Sequence, residues 1–187
     1  MRKIILKIFT ESIKILIIAS ILSAVGGLSF EFAKEKIIFF LPFLILIPAL
    51  NDMIGDFGSI IASRVTTMLY LGKMNEKEWW KNNELGNLFF LIITTALVSS
   101  FYLSVFSVLI AYAKGFSFDP SLLIRIIAIS LIATILLVSV IFWMTTAVGV
   151  SIYKRKEDPA NFLIPISTSI ADLGTMLIIS GVVYWLF

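Results

Sequence analysis

Charge is nearly absent from five long stretches of this 187-residue chain, and that pattern constrains its fold more than any other feature. A helix needs about 20 apolar residues to cross a bilayer. The stretches run roughly over Ile13–Phe32, Ile37–Leu71, Leu85–Tyr112, Pro120–Tyr153 and Pro159–Phe187. The second is longer than one crossing requires. Only 14% of the residues are charged and 59% are hydrophobic; a soluble domain carries about 25% charged residues. The expected fold class is therefore an all-α integral membrane protein with five transmembrane helices. The longest polar run, Lys73–Glu84, is a loop, so residues 1–187 read as a single membrane domain with no soluble regulatory domain. No small-residue cleavage site follows the basic start, so the first span is expected to be retained and not removed as a signal peptide.

The basic residues divide unevenly between the two sides. Arg2, Lys3, Lys7, Lys14, Lys73, Lys77, Lys81, Lys154, Arg155 and Lys156 fall on one side, and Lys34, Lys36, Lys114 and Arg125 on the other. The positive-inside rule then places the N-terminus inside and the C-terminus outside. Trp79 and Trp80 come to the inner interface and Trp185 to the outer one, where aromatic belts form. This topology accounts for the net charge of +3 without nucleic acid as a partner.

Composition also narrows the chemistry. The chain has no cysteine and no histidine. Disulfides, thiolate sites and the commonest general base are excluded. A metal ion would have to be held by oxygen atoms, which favours hard cations. No protein-bound cofactor is expected.

Two similar phrases lie deep in apolar sequence: Asp56-Phe57-Gly58-Ser59 and Asp172-Leu173-Gly174-Thr175, preceded by Pro48 and Pro165. An intramembrane carboxylate costs roughly 2.5–3.5 kcal/mol on insertion scales and points to function by default. Asp52, Asp56, Ser59 and Ser63 fall at i, i+4, i+7 and i+11, on one helix face. Gly55 and Gly58 lie alongside and thin the helix, and Arg64 follows near its inner end. A buried Asp56–Arg64 pair is the structural alternative at that position. Thr168, Asp172 and Thr175 repeat the i, i+4, i+7 spacing on the fifth span. At about 1.5 Å rise per residue, Asp172 lies roughly 18–20 Å from the inner end of its span, near mid-membrane. Pro48 and Pro165 either kink their helices or free carbonyls toward a cavity. The hydroxyls of spans three and four read as helix packing.

Several of these landmarks resemble the MgtE divalent-cation transporters and their animal solute-carrier relatives. The first block is Pro48-Ala49-Leu50, Gly55-Asp56-Phe57-Gly58, Ala62-Ser63-Arg64-Val65-Thr66-Thr67 and Gly72-Lys73. The second is Asp158-Pro159-Ala160-Asn161, Pro165, Thr168 and Asp172-Leu173-Gly174-Thr175. The Ser63-Arg64 pair and the Asp158-Pro159-x-Asn161 start look closer to the solute-carrier type. The resemblance implies a five-span unit, a homodimer in the plasma membrane, and an ion path near the two-fold axis with Asp172 as central ligand. Asp56, Asp52, Thr168, Thr175, Ser59 and Asn51 are the further candidate ion contacts. Gly55, Gly58, Gly174, Pro48, Pro165, Ser63 and Arg64 are candidates for shaping the path. The expected substrate is Mg2+, with Mn2+, Co2+ and Ca2+ as related ions. The family usually has Asn where this chain has Asp56, so the chain adds a negative charge there. The regulatory cytosolic domains of bacterial MgtE have no counterpart in this sequence.

Two other classes compete. Asp52, Asp56, Gly58, Ser63-Arg64 and Gly72 loosely resemble the signature of CDP-alcohol phosphotransferases, but Asp52 and Asp56 are four apart where that motif needs three, and no later aspartate pair follows. An accessory membrane subunit is the third reading, and it requires Asp172 to be dispensable.

Overall fold

The computed structural model describes residues 2–75, 77–117 and 119–186, with side chains for Phe9 and from Ser12 to Trp185 within those ranges. The basic side chains at Arg2, Lys3 and Lys7, and Phe187 at the end of the fifth span, lie outside the described residues. Five long helices follow in order: α1 (Arg2–Phe39), α2 (Leu41–Tyr70), α3 (Asn83–Ala113), α4 (Pro120–Lys154) and α5 (Pro159–Leu186). A short 3-10 turn, Trp79–Lys81, lies in the α2–α3 loop. All five helices are long and apolar enough to span a membrane.

The boundary between the first two helices differs from the sequence expectation. Residues Ile37–Phe39 belong to α1 and not to the second span. Phe40 leaves the helix at φ −109° and ψ 78°, and Pro42 sits in the first turn of α2. Proline has no N–H to donate and disfavours helical geometry before it, so the chain breaks there. Elsewhere the ends are set by local chemistry. The Asn82 side chain accepts from the Leu85 amide at the start of α3, and Asp119 accepts from the Ser121 amide at the start of α4. At the end of α2, Gly72 adopts φ +67°, and the amides of Gly72 and Lys73 return to the carbonyls of Leu69 and Met68. That is a Schellman closure, and its left-handed residue favours glycine.

α2 and α5 form the centre. α2 packs against α3, α4 and α5, whereas α1 lies along α5 and meets α2 only slightly. The inward face of α2 carries Phe43, Leu46, Leu50, Ile54, Ile61 and Val65, all buried at helical spacing. Outward faces carry Ile17, Ile21 and Phe32 on α1, Phe90 and Val98 on α3, and Ile132 on α4. Such faces suit hydrocarbon and not water. The hydroxyls of α3 and α4 divide: several are satisfied within the bundle, whereas those of Ser100, Thr134 and Thr145 are buried without a hydrogen-bond partner among the described residues. Thr94 and Thr95 donate to the carbonyls four residues back, and Ser104 hydrogen-bonds Ser130 across the α3–α4 contact.

Candidate ion-binding site

Asp172 projects from α5 into the junction of three helices. Its Oδ2 accepts from Ser23 Oγ of α1 at 2.6 Å, and its Oδ1 accepts from Asn51 Nδ2 of α2 at 2.7 Å. Both carboxylate oxygens therefore receive a hydrogen bond from a neutral donor. No ion pair to Asp172 occurs among the described residues. Two further buried oxygens have no hydrogen-bond partner among the described residues: Oδ1 of the same Asn51 amide, and Oγ1 of Thr175, three residues along α5 from Asp172. Buried polar atoms left unmade cost about 1–3 kcal/mol each. Water carried on a cation would supply donors to both.

Glycines allow the helices to close on this point. A Cβ on Gly26 of α1 would stand 2.9 Å from Leu173 Cα, so the two backbones cross where only glycine fits, three residues after Ser23. A Cβ on Gly58 of α2 would meet Ser167 Cβ at 2.9 Å. Gly55 is looser, with its nearest atom, Thr168 Cγ2, at 3.8 Å. On the far side of α5, a Gly174 Cβ would meet the tip of Leu137 at 2.3 Å.

The polar stripe of α2 separates in three dimensions. Asn51, Gly55 and Gly58 turn toward α5. Asp52 and Asp56 are exposed and line a groove of about 470 Å³ with Ser99 and Tyr102 of α3. The chain thus places Asp172 on the α1–α5 side and the two α2 aspartates on the α3 side. Among the described residues, no three carboxylates gather into a cluster. The Asp56–Arg64 pair is not formed, and neither side chain has a hydrogen-bond or ionic partner among the described residues. Eight residues of helix separate them by about 12 Å along the axis. Thr168 donates to the carbonyls of Ile164 and Pro165, within its own helix. Ser59 is half-buried, whereas Pro48, Ser63 and Arg64 are exposed. α5 continues helically through Pro165, and α2 through Pro48.

Ser23 and Gly26 are absent from the set that the sequence singled out. The only signal available was a small-residue run, Ser23-Ala24-Val25-Gly26-Gly27, on a span with no charged residue between Lys14 and Glu31.

Five helices apolar enough to span a membrane, one of them carrying a mid-helix carboxylate between two neutral donors, define a polytopic membrane protein. Residues 47–182 match the family model MgtE, divalent cation transporter, and the chain belongs to that family. It is also similar to Solute carrier family 41 member 2 of Xenopus laevis, 32% identical over 143 residues. That match covers 74% of this chain and 24% of the relative, so the chain spans about a quarter of that relative's length. No solved structure matches it. The family is one of transporters, and the phosphotransferase reading is set aside.

Proposed function

We propose that this protein transports divalent cations, Mg2+ foremost, along a path formed between two copies of the chain in the plasma membrane, with its N-terminus inside. The observation that carries the reading is Asp172, a carboxylate deep in a membrane helix with two neutral donors and no basic partner among the described residues. A lone carboxylate deep in a membrane helix is costly, and a divalent cation offsets its charge. Mg2+ sheds water reluctantly. A largely hydrated ion would therefore meet Asp172 and the unsatisfied oxygens of Asn51 and Thr175 mainly through its own water. Binding of that kind is weak enough to release, as conduction requires. Asp52 and Asp56 would contribute by drawing cations toward the path, since both are exposed and acidic.

Flux of Mg2+ into liposomes holding the purified protein tests this. A ligand of this type contributes about 1.5–3 kcal/mol, so Asp172→Asn should lower flux by about tenfold or more. Undiminished flux through that variant would reject the central role of Asp172. Absence of flux through the wild type, with a sodium or a proton gradient imposed as well as without, would leave the accessory-subunit reading.

A further inference from the structure

A second polar cavity lies apart from the candidate ion path, at the end of the bundle where α2 gives way to the α2–α3 loop. It has a volume of about 450 Å³ and is lined by Arg64, Thr67, Lys73, Glu84, Asn87 and Leu91, among others. Two cations face one carboxylate, an excess of one positive charge. Arg64 has no hydrogen-bond or ionic partner among the described residues. Lys73 reaches Glu84 only at 3.5 Å, with both side chains more than half exposed. Arg64 stands six residues inside the end of α2, about 9 Å along the axis.

The cavity is held open by local structure. The Schellman closure at Gly72 fixes where Lys73 leaves α2. Asn82 Nδ2 then donates to the Lys73 carbonyl at 2.7 Å while its Oδ1 caps α3. Trp79 in the same loop packs beside Trp143, and Trp80 is exposed next to it. Indole rings of this kind settle at the headgroup level of a bilayer. Leu71 and Leu91 complete the wall, and both are exposed.

We infer that this cavity binds the phosphodiester headgroup of an anionic phospholipid from the leaflet on the side of the α2–α3 loop. Arg64 offers a planar fork of donors to the phosphate oxygens, and Lys73 a second charge. The acyl chains run along Leu91 and its neighbours on α3. Basic cavities between membrane helices at this level recognise such headgroups. Phosphate chemistry alone would also admit a free inorganic ion, but the exposed leucines beside the cations fit a molecule with both a charged head and an apolar tail.

Native mass spectrometry of the detergent-purified chain, offered phosphatidylglycerol and phosphatidylcholine together, tests the site. Wild type should retain phosphatidylglycerol preferentially. Arg64→Gln and Lys73→Gln should each lower that retention about fivefold. Lys73 is an exposed loop residue, so its variant tests the site even if Arg64→Gln fails to fold. Lys154→Gln with Lys156→Gln, in a separate basic cavity at the same end, should leave retention unchanged, and millimolar inorganic phosphate should not displace the lipid. Equal retention of both lipids by wild type would overturn the inference. So would an equal loss in the Lys154/Lys156 variant, which marks general surface attraction, or displacement by phosphate, which marks a free-ion site.

Discussion

Asp172 has two donors, and they come from different helices. Asn51 belongs to the central helix α2, and Ser23 belongs to α1, which lies outside α5. A carboxylate gripped from both sides is held in one orientation, which would set how it faces an ion on the proposed path. Ser23→Ala removes one grip and leaves Oδ2 without its donor. Because a hydrogen bond to a charged group contributes about 1.5–3 kcal/mol, the Mg2+ concentration for half-maximal flux should rise about tenfold. Ser23→Thr keeps the hydroxyl and should restore it; failure of Thr to rescue would mean that packing and not the hydrogen bond matters. Asp56 behaves differently on geometric grounds. It is exposed, faces the α3 groove and has no contact with Asp172. Asp56→Asn should therefore retain most of the flux, and a dead variant would place that carboxylate on the path itself. Asp172 was legible in the sequence because charge in hydrocarbon is expensive and a lone carboxylate stands out. Ser23 was not, because a hydroxyl on a small-residue span carries no such cost and looks the same whether it packs or donates.

At the scale of elements, the contact between α2 and α5 rests on how closely two backbones approach. Gly58 and Gly55 read alike in the sequence, as small residues beside an acidic stripe. Their surroundings differ: a new Cβ would stand 2.9 Å from Ser167 Cβ at Gly58 and no closer than 3.8 Å to anything at Gly55. Overpacking of this kind costs about 1–3 kcal/mol. Gly58→Ala should lower the thermal unfolding midpoint in detergent, whereas Gly55→Ala should leave it nearly unchanged. Helix ends give a second test. The Asp119 carboxyl, at the start of α4, is held below the usual carboxylate range, mainly by hydrogen bonds from the hydroxyl and amide of Ser121. A depressed folded-state value means the cap stabilises α4 above the ordinary carboxylate range and is lost as pH falls through that lowered value. The protection of amides in the first turn of α4, relative to their intrinsic exchange, should fall on acidification, and Asp119→Ala should show the lower protection already at neutral pH. The five helices themselves were legible from apolar length alone. The α1–α2 boundary was not, because Ile37–Phe39 are as apolar as the span they were assigned to, and only Pro42 marks the break.

At the scale of the whole molecule, the question is what covers the open face of α2. Pro48, Asp52, Asp56, Ile60 and Ser63 all lie exposed along it. Periodicity told which of these residues share a side; it could not tell whether that side met α5, α3 or nothing in the protomer, because one chain's pattern does not name the neighbour. Two carboxylates turned toward hydrocarbon are unfavourable, whereas the outward face of α1, with Ile17 and Ile21, suits lipid. A second copy applied to the α2 face would remove the aspartates from lipid and bring their charge to a shared path. The natural sequence holds no cysteine, so a single introduced thiol reports only on its own position. Ile60→Cys lies on the open α2 face without replacing a charged group. In native membranes under mild oxidation it should form a disulfide-linked dimer, because residues near a two-fold axis meet their own copies. Ile17→Cys, on α1, should remain monomeric under the same conditions. Cross-linking at Ile17 in place of Ile60 would put the two-fold axis on the α1 side, leave the α2 aspartates facing lipid, and remove the dimeric path from this face.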